Sequence, residues 1–187
     1  MKTVRFLLIS FAAVSLITGC SSCGGGQTET PANVVPPPVA PDRPAFDRSR
    51  AFSALVAQCD FGSRAPGTEA HEACRKWLVQ QLQSLADKVY QQDFTPNTPM
   101  GGPFDFQNIV CYFEGTGQDD PILLGAHWDS RPIADEDPNA ANRQTPILGA
   151  NDGASGVAVL LELARLLKQH KPDRPVMIAF FDAEDSG

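Results

Sequence analysis

Two apolar runs, Pro121 to Ala126 and Val176 to Phe181, flank a stripe of Val157, Leu160, Leu161, Ala164 and Leu167 at spacings of three and four. Short unbroken apolar runs predict strands covered on both faces. The stripe predicts an amphipathic helix that starts near residues 152 to 155 and ends before Pro172. Strand, helix, strand in that order is a parallel crossover, right-handed by the general rule, which commits the chain to an α/β sheet. Parallel strands finish at one sheet edge, and open α/β sheets bind their ligands outside that edge.

Three polar motifs fall there: Gly125-Ala126-His127-Trp128-Asp129-Ser130, Asn151-Asp152-Gly153-Ala154-Ser155-Gly156 and Phe181-Asp182-Ala183-Glu184-Asp185. His127 and Asp129 leave the first strand, Glu184 and Asp185 leave the second, and Asp152 starts the helix between them. An imidazole and several carboxylates gathered from distant segments suit a hydrolytic-type zinc site. Each residue alone has a plainer reading. Asp152 could cap the helix from an Asn-Asp-Gly turn, His127 could be a hydrogen-bonded histidine at a strand end, and Glu184-Asp185 could be solvated loop charge. Those readings weaken only jointly, because all three motifs meet at one edge. Trp128 reads as a pocket wall or as packing beneath it. Asp135-Glu136-Asp137 reads as a solvated loop, since it lacks the EF-hand spacing.

Upstream, Ala51, Phe52, Leu55, Val56 and Cys59 predict a helix over about 47–59. Thr68 caps a second helix whose stripe is Ala70, Cys74, Trp77, Leu78, Leu82 and Leu85, with His71 on its exposed face. Val89 to Phe94 and Phe106 to Phe113 read as strands, joined by a Pro/Gly-rich connection too irregular for a tight hairpin. Of the five cysteines, Cys59, Cys74 and Cys111 fall in this region. A Cys59–Cys74 disulfide is conceivable, but buried thiols acting as small hydrophobes fit better.

The first 45 residues carry export signals rather than a fold. Met1 to Arg5 is a basic region and Phe6 to Ile17 an apolar one, too short to span a bilayer permanently. Leu16-Ile17-Thr18-Gly19-Cys20 resembles the bacterial lipoprotein cleavage motif, which implies that Cys20 becomes a lipidated first residue. Residues 20–45 form a tether, Gly/Ser-rich and then holding six prolines between Pro31 and Pro44, a composition that extends without packing. The expected organisation is a lipoprotein signal peptide over 1–19, the tether over 20–45 and a folded region over 46–187. The implied location is the bacterial cell envelope, anchored through lipid and facing the periplasm or the outer surface. Loss of Lys2 and Arg5 with the leader shifts the formal net charge from −7 to about −9, which disfavours nucleic acid as a partner.

The motifs also carry a family resemblance. Ala126-His127-Trp128-Asp129-Ser130-Arg131-Pro132, Leu148 to Val157 and Ala179-Phe180-Phe181-Asp182-Ala183-Glu184-Asp185 resemble the animal-type, zinc-dependent glutaminyl cyclases and their bacterial lipoprotein relatives. These share a superfamily with the co-catalytic zinc aminopeptidases. The resemblance runs upstream through Arg64-Ala65-Pro66-Gly67-Thr68 and Phe106-Gln107-Asn108-Ile109-Val110, and so covers about residues 46 to 187. It implies a three-layer α/β open sandwich around a mixed, mostly parallel central sheet, with the carboxyl-terminal part missing. It implies Zn2+ held by Asp152 and Asp185, and Glu184 as the acid/base catalyst. A family zinc histidine is expected much later in the chain, and no histidine lies beyond His170.

By the same resemblance the substrates are peptides with an amino-terminal glutamine, converted to pyroglutamate with release of ammonia. In the aminopeptidase branch His127 binds a second zinc, Asp152 bridges the pair and Glu184 activates water. The stretch from Asp129 to Asp135, the insertion that follows it up to Pro146, and aspartate rather than glutamate at 185 favour the cyclase. A third reading is an inactive, truncated lipoprotein fragment whose last strand exposes an aggregation-prone edge.

Overall fold

The computed structural model describes residues 44–99 and 101–186. The expected signal peptide, the expected lipid attachment at Cys20 and most of the expected tether lie outside these residues. Among the described residues no helix is long and apolar enough to cross a membrane.

Helix α1 spans Arg48–Asp60 and α2 spans Glu69–Leu85, followed by β1 (Lys88–Phe94), β2 (Phe106–Phe113), β3 (Ile122–His127), α3 (Ala154–Gln169) and β4 (Val176–Phe181). Each of the first two helices starts on a side-chain cap. Asp47 accepts from the Ser49 and Arg50 amides at 2.9 and 3.1 Å, and Thr68 accepts from the His71 amide at 3.1 Å. These bonds satisfy amide donors that a helix leaves free at its first turn.

The sheet runs β1-β2-β4-β3. β1 with β2 and β2 with β4 are antiparallel, whereas β3 with β4 is parallel. The expected mixed α/β sheet is therefore present, but antiparallel pairs outnumber the parallel one among the described residues. The reason is that β1 and β2 are joined by residues 95–105, without a helical crossover, so β2 returns against β1. Helices α2 and α3 pack on a single face, α2 against β1 and β2 and α3 against β3 and β4, while α1 packs on α3. Two of the three expected layers are thus seen.

The core lies between that helix layer and the sheet. Cys74, Leu78 and Leu82 of α2 and Val157, Leu160, Leu161 and Ala164 of α3 meet Ile109, Cys111 and Phe113 of β2 and Val176, Ile178 and Phe180 of β4. A fully buried side chain of this size contributes about 1.5–3 kcal/mol, and Leu78→Ala would leave a cavity costing about 2–5 kcal/mol. The three domain cysteines are free thiols, Cys74 and Cys111 being buried. Burial pushes both thiols up to about 12, which keeps them protonated and inert.

Three expectations need correction. Among the described residues β3 is not covered on both faces, since Ile122 and Leu123, neighbours on opposite faces, are 44% and 61% exposed, and it lies at the sheet's edge. The last strand, β4, is not the edge, because it sits between β2 and β3. The apolar runs of the two strands look alike, and position in a sheet is set by neighbours rather than by a strand's own composition. In α1, Ala51 is buried as its place in the stripe implies, but Phe52 and Val56 face solvent and the polar Gln58 is buried. Gln58 is held there by donating from Nε2 to the Ala154 carbonyl at 3.1 Å, across to the start of α3.

Candidate metal centre

The parallel register places His127 beside Phe181. The Trp128 amide continues the ladder by donating to the Phe181 carbonyl at 2.9 Å. Beyond β4 the backbone reverses at Ala183, which has φ of 67° without being glycine. Left-handed backbone at an alanine costs of order 1 kcal/mol and here turns Glu184 and Asp185 back toward the end of β3. The Asp185 amide donates to Asp129 Oδ2 at 3.1 Å, fastening that turn to the neighbouring strand.

The third segment arrives through Gly149 and Gly153. Gly153 has φ of 82°, and a Cβ there would stand 2.8 Å from the Asp129 carbonyl oxygen and 3.1 Å from the His127 ring. Only glycine lets the chain pass that close over the imidazole. Gly153 is also the N-cap of α3 and makes no side-chain cap bond. Asp152 therefore does not cap the helix. Its carboxylate accepts from His127 Nε2 at 2.9 Å.

His127 bridges two carboxylates, since its Nδ1 donates to Asp129 Oδ1 at 3.3 Å. The bond to Asp129, with a second from Asp152, raises its pKa to about 9 against the opposing effect of burial. Those two carboxylates favour the protonated ring, and a cation bound through either nitrogen would have to displace that proton. Asp185 is raised above the usual carboxylate range, first by burial and then by repulsion from Asp129 and Asp152.

His127, Glu184 and Asp185 each offer a ligand atom, all within 4.8 Å of one another. Asp152 is joined to His127 but lies outside that trio, so the four predicted site residues share one edge while the tight group pairs Asp185 with Glu184 and His127 rather than with Asp152. A mixed nitrogen and carboxylate-oxygen set fits a divalent cation such as zinc, and the repulsion that raises Asp185 is what a cation would relieve. Asp152 and Asp185 also line a cavity of about 380 Å³ whose far wall is the 131–147 loop, with Arg131, Asp135, Asp137 and Ile147. In that loop Asp135 is neutralised by a two-pronged pair with Arg131 at 2.7 Å, in keeping with a structural loop rather than a calcium site.

Beneath the cluster lies a buried polar layer. Asp182 accepts from His71 Nε2 at 2.9 Å, the Gln107 amide at 2.8 Å and the Ala183 amide at 3.0 Å. The His71 ring stacks on Trp128 with centroids 4.4 Å apart. Trp128 is fully buried and donates from Nε1 to the Gln107 carbonyl at 3.2 Å, so it packs beneath the pocket. His71 is 4% exposed, contrary to its expected surface position. A signal was present: positions 71, 74, 78 and 82 keep spacings of three and four, and polarity concealed it. Asp129 and Asp182 lie inside the motifs, but their neighbours in sequence do not mark them as the buried acceptors they are. Arg64, also fully buried, had no local signal.

Residues 108–187 match the family model described as Peptidase family M28. The chain is 33% identical over 132 residues to the glutaminyl-peptide cyclotransferase-like protein of Mus musculus, covering 66% of this chain and 32% of that one. It is similar to the solved glutaminyl cyclase of Tannerella forsythia, with 43% identity, a TM-score of 0.73 and coverage of 77% of this chain and 49% of that one. A Zn-dependent exopeptidase of Parabacteroides distasonis is similar at 42% identity, with the same TM-score and coverage. The chain thus spans about half the length of these solved relatives, and 26% and 32% of two curated ones. The resemblance to the glutaminyl cyclases, bacterial ones included, and the α/β fold it implied are borne out.

Proposed function

We propose that this chain carries the catalytic edge of a zinc-dependent glutaminyl-peptide cyclotransferase. The observation that carries the reading is the meeting of His127, Asp152, Glu184 and Asp185 at the shared end of β3 and β4. The similarity to solved glutaminyl cyclases supports it. Asp152 and Asp185 are the residues that would hold zinc. When bound, the ion supplies Lewis-acid polarisation of the γ-carboxamide of an amino-terminal glutamine.

Glu184 is exposed and unpaired among the described residues, so its carboxylate is free to face the substrate amine. It takes the proton of the α-amine as the nitrogen attacks the carboxamide carbon. A nitrogen–carbon bond closes the five-membered ring. The bond to the amide nitrogen breaks, and Glu184 returns the proton to that nitrogen, which leaves as ammonia. Asp129 orients His127 and the Asp185 backbone, and the strand ends hold the carboxylates without help from substrate.

A second reading, the zinc aminopeptidase, is favoured by one contact: the 2.9 Å approach of His127 to Asp152. That is the juxtaposition a bridging aspartate and a second metal would need. Assays of Gln-peptides and aminoacyl-anilides in parallel, with zinc titrated into the full chain, separate the two. Ammonia release with one zinc per chain supports the cyclase. Amino-acid release with two zincs overturns it in favour of the peptidase, and neither metal uptake nor turnover supports the inactive lipoprotein fragment. We also propose export and anchoring at the cell envelope through lipidated Cys20, on the residues at 1–20. A palmitate analogue that fails to label Cys20 would remove that anchor.

A further inference from the structure

Arg64 is wholly buried, yet every hydrogen bond of its guanidinium goes to a backbone carbonyl. Nε donates to Trp128 at 2.9 Å, Nη2 to Gly149 at 2.8 Å, and Nη1 to Leu148 at 3.0 Å and to Gly62 at 3.5 Å. Burying a guanidinium is costly unless its donors are satisfied, so these carbonyls hold it in one place and it holds them.

The carbonyls belong to three segments that lie far apart in the sequence. Trp128 stands between His127 and Asp129. Leu148 and Gly149 lead directly into Asn151 and Asp152. Gly62 belongs to the loop that carries Arg64 itself. The same loop is fastened to the end of β3 a second time, because the Ser130 amide donates to the Arg64 carbonyl at 3.3 Å and the Ser63 and Ser130 hydroxyls lie 3.1 Å apart. There is no slack on the other side. A Cβ at Gly149, whose φ is 65°, would stand 2.8 Å from Arg64 Nη2, 2.8 Å from Ser130 Cβ and 2.9 Å from the Asp152 carbonyl oxygen.

We propose that Arg64 is a positioning residue of the metal centre, fixing the spacing between the His127–Asp129 strand end and the loop that carries Asp152. The inference rests on the metal-binding reading above. Arginine suits the task because its planar fork presents donors in fixed, divergent directions to separate segments. A lysine ammonium gathers its three donors on one atom and cannot span them.

Cobalt(II) titration of the full chain tests this, because the visible d–d absorption of the bound ion reports its ligand set apart from any turnover. Groups that orient metal ligands are commonly worth 10–100-fold in affinity. Arg64→Lys is therefore expected to bind cobalt about 10–100-fold more weakly and with an altered absorption band, while still unfolding cooperatively. Gly149→Ala presses on the guanidinium from the opposite side and is expected to weaken binding in the same sense. The two combined should lose less than the sum of the parts, as residues acting through one contact do. If Arg64→Lys does not fold, Arg64→Gln, whose shorter planar amide reaches fewer of the four carbonyls, is titrated in its place and decides. Undisturbed affinity and absorption in a folded variant overturn the role of Arg64. A wild-type chain that takes up no cobalt instead overturns the metal centre itself.

Discussion

Asp182 and Glu184 leave the same turn two residues apart, one sealed beneath the strand ends and the other open to water. Below, the protein supplies every partner. Asp182 receives three hydrogen bonds from His71, Gln107 and Ala183, and Asp129 receives those of His127 and the Asp185 amide. Above, Asp152 has a side chain 73% exposed with a bond to His127, and Glu184 has no polar partner among the described residues. Buried charge must be satisfied by the fold, so the lower layer is complete when folding ends. Solvated charge need not be, and the upper layer stays available to an incoming cation and substrate.

The comparison can be broken at several points, which differ in how much stability they should cost. Trp128→Ala removes the largest fully buried side chain from between His71 and the β3 end, and should lose about 3–5 kcal/mol in urea unfolding. Asp182→Ala leaves the Gln107 and Ala183 amides and His71 without their acceptor, for a loss of about 3 kcal/mol. A variant as stable as wild type would erase the distinction between the layers. Glu72 is His71's neighbour in sequence but lies on the outer side of α2, where Arg75 first and then Lys76 hold its pKa down to about 2. Its side chain is 47% exposed, so after solvent screening the pair is worth about 0.5 kcal/mol. Because the folded pKa lies below the unfolded value near 4.5, that contribution is present above pH 4.5 and lost as pH falls toward 2. Glu72→Gln should flatten stability over that window in acid titration. Glu184→Gln should change stability least, by under about 0.5 kcal/mol, while abolishing turnover and sparing zinc uptake in equilibrium dialysis. Persisting turnover would remove Glu184 from the chemistry.

The upper layer was readable in the sequence and most of the lower one was not. His127, Asp152, Glu184 and Asp185 sit at the ends of strongly patterned elements, and chain direction alone carries them to one edge. His71 lies on an apolar stripe, where a polar residue is read as outward unless its buried partner is known, and Asp182 is 111 positions away. Arg64 was harder still, because its partners are carbonyls, which every residue possesses and no sequence distinguishes. The exposed Leu123 and Ile122 show the same limit in the fold: an unbroken apolar run marks a strand, but not which layers pack over its two faces.

The loop between Arg131 and Ile147 closes on itself, through the Ile147 amide on the Arg131 carbonyl at 3.1 Å and the Ala134 amide on the Thr145 carbonyl at 2.9 Å. Its tip, around Asn139 to Asn142, can therefore gain or lose residues while the clasp at its base keeps the flanking ligands in place. An added residue between Gly149 and Gly153, by contrast, would pull Asp152 off the histidine.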